Sequence, residues 1–439
     1  MVLDDSCASV YRRAMTDNAH PARARFFAMF ALVVAGEMIF ALPFHVPRYF
    51  RASVLASFEL SNTALGDIFA LYGVTAMLAY FPGGLLADRW PARGLLVLSL
   101  LATAGGGLYL MTLPGPMGLA LLYGYWGATT ILLFWAAMIR ATRQWGGAVA
   151  QGRAFGILDG GRGFAAAVFA SLGVACFSYF TGSSSAEQVL DANARRAALL
   201  VLILYYTVAT VVAAALVWRW LPREDQQGVV FARPHRGELW QVLRLPTVWL
   251  QALVVIAAYC GYKGLDNYAL YAHQVLGFSE TRAAGLGAAS AYIRPCAALV
   301  AGVLADRIGI ARSVLLLFAS LVVVYSLLGG VDLDTPSHVL IYGNLFVSCA
   351  AVFALRGVYF ALLEESAVPA PFTGAVVGLV SLIGYTPDIF FGAIAGRLLD
   401  AAPGAAGHRH YFIMLAVIAG IGMLAAALLL RRVSRPPAA

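Results

Sequence analysis

Twelve stretches of about 20 mostly apolar residues follow one another along the chain, each about long enough to cross a ~30 Å hydrocarbon layer as a helix. They fall near 26–47, 63–86, 94–112, 117–139, 153–179, 197–220, 248–273, 281–304, 313–330, 338–361, 373–398 and 410–430. The runs are continuous and lack period-two alternation, so each must satisfy its backbone hydrogen bonds internally, as a helix rather than a strand. With 61% hydrophobic and 12% charged residues, the chain holds more apolar surface than a water-soluble core can hide. The expected fold class is an all-α membrane protein with twelve transmembrane helices.

Positive charge concentrates in cytoplasmic loops, so the one Lys and 29 Arg orient these spans. With both termini cytoplasmic, nineteen Arg fall on the inner side and seven (Arg48, Arg51, Arg195, Arg196, Arg282, Arg397, Arg409) on the outer. The net charge of +8 then follows from topology. No basic face interleaved with aromatics on a soluble domain points to nucleic acid. Residues 1–25 are polar and precede a span too long for a signal-peptide core, so the first helix is expected to stay as an anchor. Cys176, Cys260, Cys296 and Cys349 lie within spans without C-x-x-C spacing, which suggests packing rather than a disulfide framework or a zinc site.

The chain repeats itself. GGLLADRWPAR at 83–93 recurs as AGVLADRIGIAR at 301–312, which places Asp88 and Asp306 218 residues apart. LLYG ending at Gly124 returns as LIYG ending at Gly343, and Phe134 matches Phe353 at the same offset. Gly152 and Gly156 match Gly374 and Gly378. Two parallel repeats enclosing a midplane site make a transporter architecture. The expected organisation is a tail (1–25), a six-helix bundle (26–220), a polar linker (221–247), a second six-helix bundle (248–430) and a short tail (431–439).

Gly84, Asp88, Arg89 and Arg93, and again Gly302, Asp306, Arg307, Gly309 and Arg312, resemble the G-x-x-x-D-R-x-G-R-R signature of the major facilitator superfamily, with Pro91 in place of the usual Gly. That resemblance implies the major facilitator fold of two pseudo-symmetric bundles. It also implies a cytoplasmic gate, in which the Gly admits a neighbouring helix and the Asp and Arg hold the two halves together. QGRAFGILDGGRG at 151–163, RGVYFALLEE at 356–365 and IGYTPDIFFG at 383–392 resemble a bacterial branch of YihN-type permeases for sugar acids or sulfonated sugars. The missing R-x-x-x-G-x-G and G-P-x-x-G-G signatures argue against the proton-driven drug exporters.

A charge at the bilayer centre costs roughly 2.5–3.5 kcal/mol on insertion scales, so ionisable residues within spans are functional candidates. Lys263, the chain's single lysine, shares a helix face with Asp266, Asn267 and Tyr259. It either binds an anionic substrate group steadied by Asp266 or forms a permanent pair with it. Arg294 suits a carboxylate, sulfonate or phosphate, or else bridges two helices. Arg356, Trp135 and Tyr385 complete the expected substrate-binding set. Tyr72, Tyr268 and Tyr271 are weaker lining candidates. Glu37, read as a lone buried carboxylate beside the Pro43 bend, and Asp388 are the expected proton-coupling groups. Asp159 and Arg162, at i and i+3, suggest an internal ion pair. Arg140 and Arg143 with Glu364 and Glu365 are expected to bridge the halves on the cytoplasmic side. His45 and Arg48, toward the outer mouth, read as interfacial snorkelling residues.

No phosphate-binding loop, H-E-x-x-H or G-x-S-x-G motif supports an enzyme, and no cofactor is implied. The expectation is a monomeric secondary transporter in a bacterial inner membrane. It would move a small organic anion by alternating access, coupled to protons or by exchange. Export of an amphiphilic metabolite or siderophore is the alternative, and a transporter-like sensor a more distant one.

Overall fold

A computed structural model describes residues 22–147, 150–182, 191–223, 244–330, 338–362, 373–402 and 404–433. Twelve membrane-crossing helices account for nearly all of them. These are α1 (Ala22–Met38, continued by Ala41–His45 and Val46–Tyr49), α2 (Asn62–Arg89), α3 (Ala92–Leu110), α4 (Pro116–Gly146), α5 (Gln151–Thr181) and α6 (Ala192–Trp220), followed by α7 (Pro246–Gln274), α8 (Glu280–Ile308), α9 (Ile310–Gly330), α10 (His338–Val358), α11 (Thr373–Gly384, continued by Pro387–Ala401) and α12 (Ala405–Val433). Among the described residues there is no strand. Most of the linker expected between the halves lies outside the described residues.

Helix starts follow local chemistry. Ser61, Asp191 and Ser279 accept backbone N–H groups at the starts of α2, α6 and α8. The two repeated turns differ in form: Gly309 ends α8 at φ +91°, whereas Pro91 opens α3 from φ −57°. The backbone thus takes a left-handed glycine turn in one repeat and a proline helix start in the other.

Each half has its own core. One runs from Met29 to Leu221 and includes the fully buried Trp126, Phe134 and Tyr206; the other runs from Val248 to Leu429 around Phe318, Tyr325 and Phe412. Large apolar side chains such as Leu78, Phe81 and Leu299 point outward, as a hydrocarbon solvent permits.

The halves meet chiefly through α2 on α11 and α5 on α8. Small residues set the first contact. A Cβ on Gly66 would stand 2.2 Å from the Gly392 carbonyl oxygen, and one on Gly396 would stand 2.3 Å from that of Asn62. At the same end, the Asp400 carboxylate accepts the backbone N–H of Thr63 at 2.6 Å and that of Asn62 at 3.2 Å. A carboxylate of α11 therefore caps the N-terminus of α2 in the other half. Arg195 pairs with Glu280 at 2.7 Å, Arg397 pairs with Asp67 at 2.8 Å, and Ser53 donates to Glu280.

The opposite end is parted. The last turns of α4 and the whole of α10 pack mainly within their own halves, and Asp88, Arg89, Asp306 and Arg307 are exposed. Among the described residues, the contacts between the halves gather at the Asp400 end and thin out toward the Asp88 end.

Candidate functional site

Helix breaks cluster where the halves meet. In α1, Pro43 lacks a backbone donor, and the helix bends by 40° between Met38 and Ala41 before continuing as a π turn. Helix α7 tightens to a 3₁₀ turn at Leu265–Asn267, directly after Gly264. Helix α11 is interrupted at Tyr385 and Thr386, before Pro387. Helix α4 widens into a π segment at Thr129–Trp135. Irregular backbone at membrane depth is tolerated where it lines a cavity, and here it surrounds one of about 100 Å³.

Five cations gather at this cavity: Arg48 and Arg162 from the first half, and Lys263, Arg294 and Arg356 from the second. Four carboxylates oppose them, leaving one net positive charge. Arg48 Nε stands 2.5 Å from Asp266 Oδ1. Lys263 Nζ lies between Asp266 at 3.4 Å and Asp388 at 3.3 Å. Arg294 reaches across the halves to Asp159 at 2.7 Å and to Glu37 at 3.9 Å. Glu37 also faces His45 Nε2 at 3.1 Å and Arg162 Nε at 3.4 Å. Among the described residues its Oε2 oxygen has no hydrogen-bond partner, and neither does His45 Nδ1.

Arg356 differs from the other four. Among the described residues it has no carboxylate within ion-pair distance; its guanidinium lies 3.9 Å from the Tyr262 ring centroid and 5.9 Å from that of Tyr259. The Tyr262 ring also carries Arg48 at 4.7 Å, and its hydroxyl accepts from Arg48 Nη1 at 3.0 Å. Tyr259 donates to both oxygens of Asp388, at 3.1 and 3.0 Å, and packs edge-on against Tyr385. Lys263 sits 4.5 Å from the centroid of Phe44, and Arg162 sits 5.8 Å from that of Phe40. The wall therefore alternates guanidinium or ammonium groups with aromatic faces.

Of the residues expected from sequence, Lys263, Arg294, Arg356, Trp135, Tyr385, Glu37, Asp388 and Tyr72 line the cavity. Asp266 stands behind it, holding Arg48 and Lys263. Asn267 is corrected: it is buried against α12 and donates to Tyr411 at 3.1 Å. Tyr268 and Tyr271 also point away, toward Ser348 and Phe412. The expected Asp159–Arg162 pair gives way to Asp159–Arg294 and Arg162–Glu37, because bridging partners across helices lie closer than the i, i+3 neighbour. Glu37 is no lone carboxylate. His45 and Arg48 line the cavity on Glu37 and Asp266 rather than snorkelling to the interface, and Arg51, placed by the sequence in an outer loop, is buried on Asn62.

At the parted end, a Cβ on Gly84 or Gly302 would meet nothing within 4 Å, so neither glycine admits a close helix in this conformation. Arg93 is buried over Trp218 at 4.2 Å. Arg312 is exposed. Arg140 reaches the carbonyls of Ala87 and Trp90 at the end of α2, inside its own half. Arg143 lies on the last turn of α4, and Gln151 donates to its carbonyl at 2.9 Å. Glu364 and Glu365 lie outside the described residues.

The family model for the Major Facilitator Superfamily matches residues 24–392. Two Escherichia coli K12 proteins are similar over nearly the whole length. Inner membrane protein YihN is 26% identical over 93% of this chain and 96% of its own. Inner membrane protein YqcE is 24% identical over 92% and 94%. Among solved structures, a bacterial homologue of the human lysosomal transporter Spinster, inward-facing and unoccupied, superposes with a TM-score of 0.72 at 15% identity, covering 95% of this chain and all of that one. The nucleoside transporter NupG superposes with a TM-score of 0.68 at 10% identity, covering 94% of this chain and all of that one. With twelve spans in two bundles, a charged cavity between them and the family model matched over most of its length, the chain belongs to the major facilitator superfamily, whose members are secondary transporters working by alternating access.

Proposed function

We propose that this transporter carries a small organic anion, such as a sugar acid or another carboxylate, through the cavity between its halves. One observation carries the reading: Arg356 enters the cavity with aromatic partners and, among the described residues, no carboxylate at ion-pair distance, beside a cluster with one net positive charge. A carboxylate or sulfonate docking there completes the charge balance and receives two parallel hydrogen bonds from the guanidinium. Lys263 then exchanges Asp388 or Asp266 for the substrate, and Arg294 exchanges Asp159. Those exchanges loosen the links that hold α7 to α11 and α8 to α5. Coupling to protons is assigned to the buried, hydrogen-bonded Glu37–His45 pair. The charged lining gives no support to export of an amphiphile.

Arg48 and Arg51 leave the outer loops and join the interior, so the charge asymmetry is sharper than the sequence count. Both termini are accordingly assigned to the cytoplasm, the Asp88 end faces it, and the conformation is inward-open. The names of the two Escherichia coli relatives support placement in a bacterial inner membrane.

Thermal unfolding of the purified protein against carboxylates, sulfonates, phosphorylated sugars, neutral sugars, nucleosides and organic cations tests this reading. A ligand at a hundredfold excess over Kd stabilises by about 2.7 kcal/mol. The expected result is stabilisation by an organic anion, with affinity about 10- to 100-fold weaker in Arg356→Ala and partly restored in Arg356→Lys. Stabilisation by nucleosides, neutral sugars or cations alone, with Arg356→Ala responding like the parent, would overturn it.

A further inference from the structure

A second feature lies on the membrane-facing side of the first half, away from the transport cavity. Helices α1 and α5 leave between them a cleft of about 850 Å³, lined by Met29, Val33, Ile157, Phe164 and their neighbours. It continues over Phe30, Val34 and Phe169 into a second groove of about 460 Å³ against Val201, Val208 and Leu216 of α6. The ridge of Phe30 and Val34 belongs to both grooves. The floor is fixed where Gly161 meets Val33; a Cβ there would stand 2.8 Å from the valine.

The two ends of the cleft differ in chemistry. Toward mid-membrane it is wholly apolar, and Phe26, Phe30, Ile157 and Phe164 are exposed to hydrocarbon. At the Asp88 end stand Arg25, Arg153 and Trp145. Arg25 is held in place, donating to the Trp145 carbonyl at 3.0 Å and lying over its ring at 5.1 Å, while Trp145 Nε1 donates back to the Arg25 carbonyl at 2.7 Å. Arg153 is exposed, and among the described residues neither arginine faces a carboxylate. From Arg153 to Phe164 the helix rises roughly 16 Å, about half the ~30 Å hydrocarbon thickness. Val168 and Phe169 carry the apolar lining further along α5, so the cleft runs from cations in the leaflet at the Asp88 end to beyond mid-membrane.

We propose that this cleft is a binding site for an anionic phospholipid of that leaflet. Its phosphate is held by Arg25 and Arg153, and its two acyl chains lie on either side of the Phe30–Val34 ridge. Basic pockets between membrane helices favour anionic headgroups, and a planar guanidinium matches a phosphate. Two apolar grooves that share a ridge, one of them ending at the two arginines, fit a two-chain lipid better than a single helix from another chain, which would present one face to one groove. Because α1 carries Glu37 and α5 carries Asp159 and Arg162, a lipid wedged between them bears on both helices that reach the cavity.

The test uses the full-length protein, delipidated in neutral detergent and titrated with phosphatidylglycerol or phosphatidylcholine of identical chains. Native mass spectrometry counts the bound lipid, and thermal unfolding reads its effect. Phosphatidylglycerol should bind at least tenfold more tightly than phosphatidylcholine. Arg153→Ala should remove most of that preference without altering the lipid-free melting temperature, and Ile157→Trp, which narrows the cleft, should weaken both lipids. Arg432→Ala, which removes an exposed cation at the end of α12, should change nothing. Equal binding of the two lipids would overturn the proposal, as would a phosphatidylglycerol preference that survives Arg153→Ala. Stabilisation reproduced by inorganic phosphate alone would overturn it too, as would disulfide cross-linking of two copies through Phe164→Cys, which would show a protein partner in the cleft.

Discussion

Replacing Glu37 with alanine should destabilise the protein by about 3–5 kcal/mol, the range seen when one partner is removed from a buried ion pair. Glu37 is 5% exposed and faces His45, Arg162 and Arg294 from a single carboxylate. Without it, five cations share a cavity with three carboxylates, and Arg162 keeps no acidic partner among those within 4.0 Å. Glu37→Gln keeps the shape and loses the charge, so most of the cost should remain. Pairing Glu37→Gln with Arg162→Gln removes one charge of each sign and should recover much of the lost stability. Function separates two roles here. If Glu37 and His45 carry the coupling proton, Glu37→Gln in liposomes should abolish accumulation of the selected anion under a proton gradient while leaving counterflow exchange intact. Accumulation that persists in that variant would remove Glu37 from coupling. Full stability in Glu37→Ala would show that the four-group cluster contributes nothing to the fold.

The helices were legible in the sequence because apolar length is a one-dimensional signal. The stretches 63–86 and 248–273 lie within two or three residues of α2 and α7. The bends at Pro43, Gly264 and Pro387 were also legible, because each residue acts on its own backbone. Pairings were not. Asp159 and Arg162 share a face of α5, yet their partners come from α8 and α1, and only the packing of helices decides between a neighbour at i+3 and one on another helix. His45 and Arg48 look interfacial when α1 is counted as a straight rod; the 40° bend and π turn carry them back inward. Tyr262, which carries both Arg48 and Arg356, lies three residues after Tyr259 and was recoverable from that spacing. Gly392 and Gly396 form a small-xxx-small pattern in α11 that marks close helix approach, a signal available in the sequence before α2 was known to be its partner.

That approach yields the second large effect. Gly73→Val should open the Asp400 end, because a Cβ at Gly73 would stand 2.4 Å from the carbonyl carbon and oxygen of Asp388. Backbone cannot rotate aside as a flexible side chain can, so α2 and α11 must separate wherever this conformation persists. Overpacking of this kind costs typically 1–3 kcal/mol, and the cost falls on the conformation in which the two helices touch. A bias of that size shifts the balance between the two conformations roughly 5- to 150-fold toward the one closed at the Asp88 end. Ala284, on α8, is fully buried against the first half and reports the change. In a background with all five native cysteines replaced, Ala284→Cys should react slowly with a membrane-impermeant maleimide and at least tenfold faster once Gly73→Val is added. Gly84→Ala is the control, since a Cβ there meets nothing within 4 Å and labelling should not change. Transport should fall with Gly73→Val, because a carrier held in one conformation binds substrate without completing the cycle. Unchanged labelling in a folded Gly73→Val protein would mean that α2 and α11 accommodate the side chain without parting, and that the seal at this end rests on the Asp400, Glu280 and Arg397 contacts alone.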